Sequence, residues 1–146
     1  MEILKRIFTI TLVAIACGFS AKAISIDDFY QYCSKIQNCT EIKIPKLLLK
    51  MGNRHLSTLK IVSIENPDSI DFNSISNGIA KISANKETTA IKDNDDDDDE
   101  INHIYIQPDG KKDVQILIAS ISSKECEFVY LKCNKKYIKK VLNDYK

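Results

Sequence analysis

Four segments of the chain space their apolar residues three or four positions apart, as an amphipathic α-helix does. Ser25 is a suitable cap for the first of them, because Asp28 follows at the capping-box position. Asn66 is a candidate cap for the third, and Gly78 predicts that this helix ends or kinks there, since glycine destabilises a helix interior. The predicted helices cover 26–36, 46–51, 67–82 and 137–145.

Six other segments are short and rich in β-branched and aromatic residues, as strands are. His103 and Tyr105 alternate with Ile104 and Ile106, so the two isoleucines are expected to face the core. Pro108-Asp109-Gly110 predicts a tight turn. This order of elements predicts an α+β fold: a mainly antiparallel sheet of about five to six strands with three to four helices packed on one face. The predicted strands cover 40–44, 59–64, 87–92, 101–107, 114–121 and 126–133.

The first 23 residues have the organisation of a secretory signal peptide. Lys5 and Arg6 precede an uncharged apolar stretch, Ile7 to Ala16, which is too short to span a bilayer, since spanning needs about 20 residues. Ala21-Lys22-Ala23 predicts cleavage after Ala23. The chain then divides into a signal peptide, 1–23, and a single α+β domain, 24–146.

A second processing signal overlaps the first. Ala14-Ile15-Ala16-Cys17-Gly18 resembles a bacterial lipobox, in which Cys17 would carry the lipid and become the new N-terminus. The expected location is therefore periplasmic or secreted, with a membrane-anchored lipoprotein tethered through Cys17 as the alternative.

The charge balance excludes some classes of partner. The net charge is +1 for the whole chain, and removal of residues 1–23 takes away three basic residues and one acidic residue, leaving −1. A chain so close to neutrality has no general field with which to attract nucleic acid, so no nucleic-acid partner is expected.

Several of these segments, taken in order, resemble a known family. The segments that carry the similarity are the helix after Pro45, the strand Leu59–Ile64, the acidic stretch after Lys92, the hairpin "IYIQPDGK…ILIASIS" and the segment "EFVYLKC" before the closing helix. Their order is similar to that of the domain-of-unknown-function family 4252, small exported proteins of the Bacteroidota. The similarity covers about residues 25–146. It implies export and the fold, and it carries no catalytic site. The paired cysteines depart from the usual family pattern.

Four cysteines follow the signal peptide, and export makes disulfides plausible. Cys126 and Cys133 lie in one predicted strand, about 23 Å apart and on opposite faces, so they are not expected to pair. Cys33 and Cys39 are disulfide candidates if the chain turns at Gln37-Asn38, and the alternatives join the first helix to the last strand. None of these spacings is the C-x-x-C typical of zinc sites.

The acidic run 93–100 is the most conspicuous local feature of the sequence. Asp95, Asp97 and Asp99 are candidate cation ligands, although a calcium loop starting at Asp93 fails because Ile104 stands where glutamate is needed. The simpler interpretation is a solvated loop between two strands. We therefore predict no metal site and no cofactor.

The remaining polar features also have a structural and a functional interpretation. His103 is either a surface residue or a base or ligand beside the acidic run, and His55 is expected on the surface. The lysines of the last helix form either its solvated side or a surface for anionic lipid or an acidic partner; they are Lys135, Lys136, Lys139 and Lys140.

No catalytic motif of the hydrolase, metalloprotease or thiol-redox type occurs in the sequence. The leading hypothesis is a non-enzymatic binding or accessory module of the cell envelope, whose partner is an unidentified envelope protein or ligand. The alternatives are an envelope thiol-redox or hydrolytic factor and a calcium-dependent adhesive or structural module. The sequence does not determine the oligomeric state.

Overall fold

Ten regular elements make up the part of the chain that the computed structural model describes, residues 23–52, 55–92 and 101–144. In chain order they are α1 Ile26–Ser34, β1 Cys39–Lys43, α2 Lys46–Gly52, β2 Leu56–Glu65, α3 Ser69–Ala84, β3 Thr89–Lys92, β4 Ile101–Asp109, β5 Asp113–Ile121, β6 Glu125–Asn134 and α4 Lys135–Asp144.

The six strands form one antiparallel sheet in the order β1-β2-β6-β5-β4-β3. Strands β3 to β6 follow one another as hairpins, and β2 then pairs with β6 rather than with β3. The predicted α+β fold, a mainly antiparallel sheet of about five to six strands with three to four helices, is thus confirmed: the described residues form six strands and four helices.

The larger core lies between the sheet and the helices α1 and α3. Phe29 of α1 meets Phe128 of β6 edge to face, with ring centroids 5.2 Å apart, and Tyr30 lies against Tyr130 at the same separation.

The smaller core lies on the other face of the sheet, beneath α4. Tyr137 and Ile138 pack there against a cluster that includes Ile106, Ile116 and Cys133. The expectation that all helices share one face was therefore wrong. The physical reason is that β5 and β6 carry apolar residues at both alternating sets of positions, so both faces of the sheet need cover.

The assignment of β4 to its two faces also needs correction. Tyr105 and Gln107 are the buried residues that face α1 and α3, whereas Ile104 and Ile106 face the side of α4. The face carrying His103 is therefore the face of the larger core, which alternation alone cannot distinguish when both sets of positions are buried.

Gly78 neither ends nor kinks α3, which continues to Ala84. A Cβ atom at this position would lie 2.6 Å from the ring of Phe29. Glycine is present because α1 and α3 approach each other closely here, and this packing offsets its low helix propensity. The cap of α3 is Asp68, whose Oδ1 accepts from Asp71 N at 2.7 Å, and not Asn66.

The turn after β4 lies further along the chain than predicted. Pro108 and Asp109 still belong to β4, paired with Val114 and Asp113, and the turn is formed by residues 110–112. Gly110 has a φ of +76°, which glycine adopts without steric cost.

Candidate functional site

A row of six β-branched residues crosses the sheet on the face of α4. Ile42, Ile61, Val129, Ile118, Ile104 and Ile91 are cross-strand partners in succession, one from each strand. We call these six residues the aliphatic row. Three of them are solvent-exposed: Ile42 by 52%, Ile91 by 39% and Ile118 by 37%.

The rows on either side of the aliphatic row differ sharply in chemistry. On one side Leu131, Ile116 and Ile106 are covered by α4. On the other side, the corresponding strand positions of the four central strands carry Ser63, Glu127, Ser120 and Asn102, which are polar. The aliphatic row is therefore a strip of apolar surface between a helix and a polar border, and such strips typically mark contact surfaces.

A second apolar patch lies on α2, outside the sheet. Leu47, Leu48 and Met51 are exposed by 72%, 56% and 79%, whereas Leu49 is buried. Lys46 and Lys50 of the same helix are exposed beside them. A helix of seven residues thus presents three large apolar side chains and two cations to its surroundings.

Charge is unevenly distributed along the strand direction. One end of the sheet, where β1 ends and β2 begins, also carries the β4–β5 turn and the start of α4. Here the backbone N–H of Lys135 donates to the carbonyl of Lys112 at 2.8 Å. We call this the basic end, after its six exposed lysines: Lys46, Lys50, Lys111, Lys112, Lys135 and Lys136.

Acidic residues at the basic end are fewer. Asp109 forms an ion pair with Lys132 at 3.4 Å, and Asp113 is exposed beside it. Asp27 lies at the start of α1, where its N–H bonds Gln115. The opposite end of the sheet carries Glu65, Glu125 and Asp68, and we call it the acidic end.

Two buried glutamines fix the place where the chain enters the fold. Gln107 Oε1 accepts from the backbone N–H of Ile26 at 2.8 Å, and its Nε2 donates to the carbonyl of Ile24 at 3.2 Å. Gln115, its cross-strand partner, accepts from the N–H of Asp27 at 3.1 Å. These bonds satisfy N–H groups that the first turn of α1 leaves without helical partners. Sequence reasoning missed both residues; the available signal was glutamine at an inward position of an apolar strand.

The disulfide candidates Cys33 and Cys39 are reduced thiols, and they lie in or beside the larger core. Cys33 is fully buried, and Cys39 is half-buried with its Sγ donating to Ser34 O at 3.1 Å. Cys126 is buried in the same cluster. Cys39 and Cys126 both lie opposite Ile64, in the strands on either side of β2. The four described cysteines are unpaired thiols in this structure, so the Cys33–Cys39 disulfide stays a prediction.

Burial also makes three of the described thiols, Cys33, Cys126 and Cys133, poor nucleophiles. It raises the pKa of Cys126 and of Cys133 to about 11 and that of Cys33 further still. Since the thiolate is the reactive form, this environment is typical of structural cysteines rather than catalytic ones. Cys126 and Cys133 lie on opposite faces of the sheet, as their separation in the sequence predicted.

His103 is half-buried, and its Nδ1 lies 2.8 Å from the hydroxyl of Tyr105. Burial, followed by the charge of Lys92, lowers the pKa of this imidazole below its usual value. A half-buried imidazole within hydrogen-bond distance of a buried tyrosine is accounted for by packing on β4, which lies between β5 and β3. His55 is exposed and stacks on Tyr137, with ring centroids 4.6 Å apart.

A groove of about 390 Å³ lies between α1 and α3. Its floor is apolar, from Ile24, Phe29 and Gly78, and its rim carries Asp28 and Lys81. It contains no cluster of buried polar groups that would orient a ligand.

Several predicted site residues lie outside the described residues: Cys17, Asp95, Asp97 and Asp99. Among those that are described, no group of three or more histidine, cysteine or acidic side chains is arranged to hold a metal ion. In that same part of the chain, no helix combines the length and the apolar character needed to cross a membrane.

Comparisons with protein-family models, with curated proteins and with solved structures found no match for this chain. The resemblance to domain-of-unknown-function family 4252 therefore stays a prediction.

Proposed function

We propose that the chain is an exported protein of the cell envelope whose residues 24–146 act as a non-enzymatic binding or accessory module. Residues 1–23 are removed as a signal peptide in this proposal, and a lipoprotein retaining Cys17 is the alternative form. The module works in the periplasm or outside the cell.

Export is supported by the signal-peptide organisation of residues 1–23, in which two basic residues precede a short apolar stretch and a cleavage site after Ala23. The domain keeps its own anchoring contact after such a cleavage, because Gln107 holds the carbonyl of Ile24 and the N–H of Ile26.

A reporter fusion tests export directly. Alkaline phosphatase, which is active only outside the cytoplasm, is fused after Lys146 of the full chain and of a chain lacking residues 1–23. We expect activity from the full chain alone. If neither fusion shows phosphatase activity although both proteins are present in the cell, export is contradicted.

The aliphatic row carries the proposal of a binding role. Helix α4 shows how this face of the sheet is covered, because Tyr137 and Ile138 already pack on the neighbouring row. The same helix carries four exposed lysines: Lys135, Lys136, Lys139 and Lys140. A partner that fits both features is an amphipathic helix of an envelope protein, with an apolar face for the row and acidic residues towards α4.

Site-specific crosslinking in cells tests this surface. A photo-crosslinking amino acid at position 118 is expected to capture one protein, and Ile118 lies in the aliphatic row. The matched control is position 70, where Ile70 is 75% exposed on α3, at the other end of the sheet. The same product from both positions, or from neither, would contradict binding through the row.

A further inference from the structure

We propose that the basic end of the sheet docks on the surface of an anionic phospholipid bilayer, with Leu47, Leu48 and Met51 of α2 entering the headgroup region. This inference rests on the proposed export, which brings the protein to a membrane surface, and it names a contact distinct from the aliphatic row.

The first observation is the combination of apolar and basic side chains on α2. Leu47 and Met51 are among the most exposed large apolar residues of the described chain, and Lys46 and Lys50 stand beside them. Apolar side chains that protrude among lysines are suited to the boundary between lipid headgroups and acyl chains, where the lysines meet phosphates. In water the exposed surface of these three residues gains nothing from the hydrophobic effect, whereas insertion among the headgroups buries it.

The second observation is the charge of the surface around α2. The β4–β5 turn supplies Lys111 and Lys112, and the start of α4 supplies Lys135 and Lys136, at the same end of the sheet as α2. Asp113 is the exposed carboxylate of that turn, and Asp109 is paired with Lys132. Lysines attract anionic lipid over a distance of about a Debye length, so this end faces an anionic bilayer and the acidic end points away.

The third observation is the position at which the chain enters the fold. Gln107 holds Ile24 and Ile26, and Gln115 holds Asp27. Both glutamines lie two positions from the strand ends that flank the β4–β5 turn. If Cys17 carries a lipid, it lies seven residues before Ile24, which is at most about 25 Å of extended chain. A tether of that length leaves the basic end close to the bilayer, and the same end is the one suited to bind it.

Vesicle flotation with the processed protein, beginning at Ile24, tests the proposal. This form contains every residue of both described cores. The probes are vesicles of phosphatidylcholine alone and vesicles of one part phosphatidylglycerol to two parts phosphatidylcholine. We expect binding to the anionic vesicles only, with at least a roughly tenfold loss when the salt concentration rises well above physiological.

Two pairs of variants separate the contribution of α2 from non-specific binding to the vesicles. Leu47→Ser with Met51→Ser is compared with Ile70→Ser, which removes an equally exposed isoleucine at the acidic end. Lys46→Glu with Lys50→Glu is compared with Lys124→Glu, an exposed lysine at the acidic end. We expect roughly tenfold weaker binding for both α2 variants and unchanged binding for both controls. Circular dichroism verifies that each variant is folded.

The outcomes separate this inference from the proposed function. Absence of binding to anionic vesicles at low salt overturns it, as does equal binding to neutral vesicles or equal binding by α2 variants and controls. If the protein does not bind vesicles and the α2 variants instead lose a crosslink to an acidic envelope protein, the partner is a protein and the lipid assignment is overturned. The proposal of an exported binding module is unaffected by that result. A reporter fusion that shows no export removes the proposed function itself, whatever the vesicles show.

Discussion

The side-chain amide of Gln107 binds the chain on both sides of Ser25, donating to the carbonyl of Ile24 at 3.2 Å and accepting from the N–H of Ile26 at 2.8 Å. This buried residue therefore joins the beginning of the domain to the middle of the sheet. It also fixes the end of the sheet at which the described chain begins.

Replacement of Gln107 by alanine is expected to lower the free energy of unfolding by about 1–3 kcal/mol, because the buried N–H of Ile26 loses its acceptor. Gln31→Ala is the matched control, since the exposed Gln31 bonds only the exposed side of α1, through Asp27 at 3.1 Å. Urea unfolding measures both variants. Equal losses for the two would contradict the role assigned to Gln107.

Gly78→Ala is expected to destabilise the protein by about 1–3 kcal/mol, because the new methyl group would lie 2.6 Å from the Phe29 ring and force the two helices apart. On helix propensity alone the same change would stabilise α3 by about 1 kcal/mol, so the two accounts differ in sign. Gly52→Ala, where a Cβ meets nothing within 4 Å, is the control. Thermal unfolding distinguishes the accounts, and a raised melting temperature for Gly78→Ala would contradict ours.

The lowered pKa of His103 predicts a stability that depends on pH. The unfolded chain binds a proton at this imidazole near pH 6.5, and the folded chain binds it only at lower pH. The contribution of His103 to stability is therefore fully present above pH 6.5 and is lost as the pH falls below it.

Urea unfolding between pH 8 and pH 5 measures this effect against His103→Gln. We expect the parent protein to lose more stability on acidification than the variant, because carboxylates titrate equally in both. His55→Gln, which removes the exposed histidine, is expected to keep the full loss. An identical pH dependence for the parent and His103→Gln would show that burial of His103 has no energetic consequence.

Thiol burial predicts an order of chemical labelling. Cys39 is half-buried, whereas Cys33, Cys126 and Cys133 are buried. At pH 8 a thiol with a pKa of about 11 is ionised in about one molecule in a thousand. In the folded reduced protein a thiol-specific reagent should therefore modify Cys39 first and the other three only on unfolding. Early modification of Cys126 or Cys133, located by peptide mass, would contradict the burial described.

The predicted Cys33–Cys39 disulfide leads to a separate expectation. Refolding of the reduced protein with a small-molecule disulfide as oxidant should link these two residues, with transfer of two electrons to the reagent and release of two reagent thiols. Closing this short loop is expected to raise stability by about 2 kcal/mol. A Cys39→Ser variant serves as control. Linkage of Cys33 to Cys126 in the parent would favour the alternative that joins the first helix to the last strand.

Local patterns predicted the kinds of element and the fold class because each depends on neighbouring residues. The spacing of Ile26, Phe29 and Cys33 suffices to identify α1 and its buried side. The α+β class follows from the order of helices and strands.

What the sequence did not reveal depends on contacts between distant segments. The close approach of Phe29 to Gly78 and the bonds from Gln107 to the start of α1 exist only after folding. The aliphatic row likewise arises from the register of six strands. Five of these strands contribute an isoleucine, and the sequence of a single strand does not distinguish such an isoleucine from a core residue. Alternation in β4 could not identify its inner face, because residues on both faces are buried.

The measurement that tests the central claim most directly is the intact mass of the protein purified from its native cell envelope. The account predicts a chain that begins at Ile24. A lipid-bearing chain that begins at Cys17 would show that the protein is exported as the membrane-tethered lipoprotein instead. A mass that retains residues 1–23 would contradict the account.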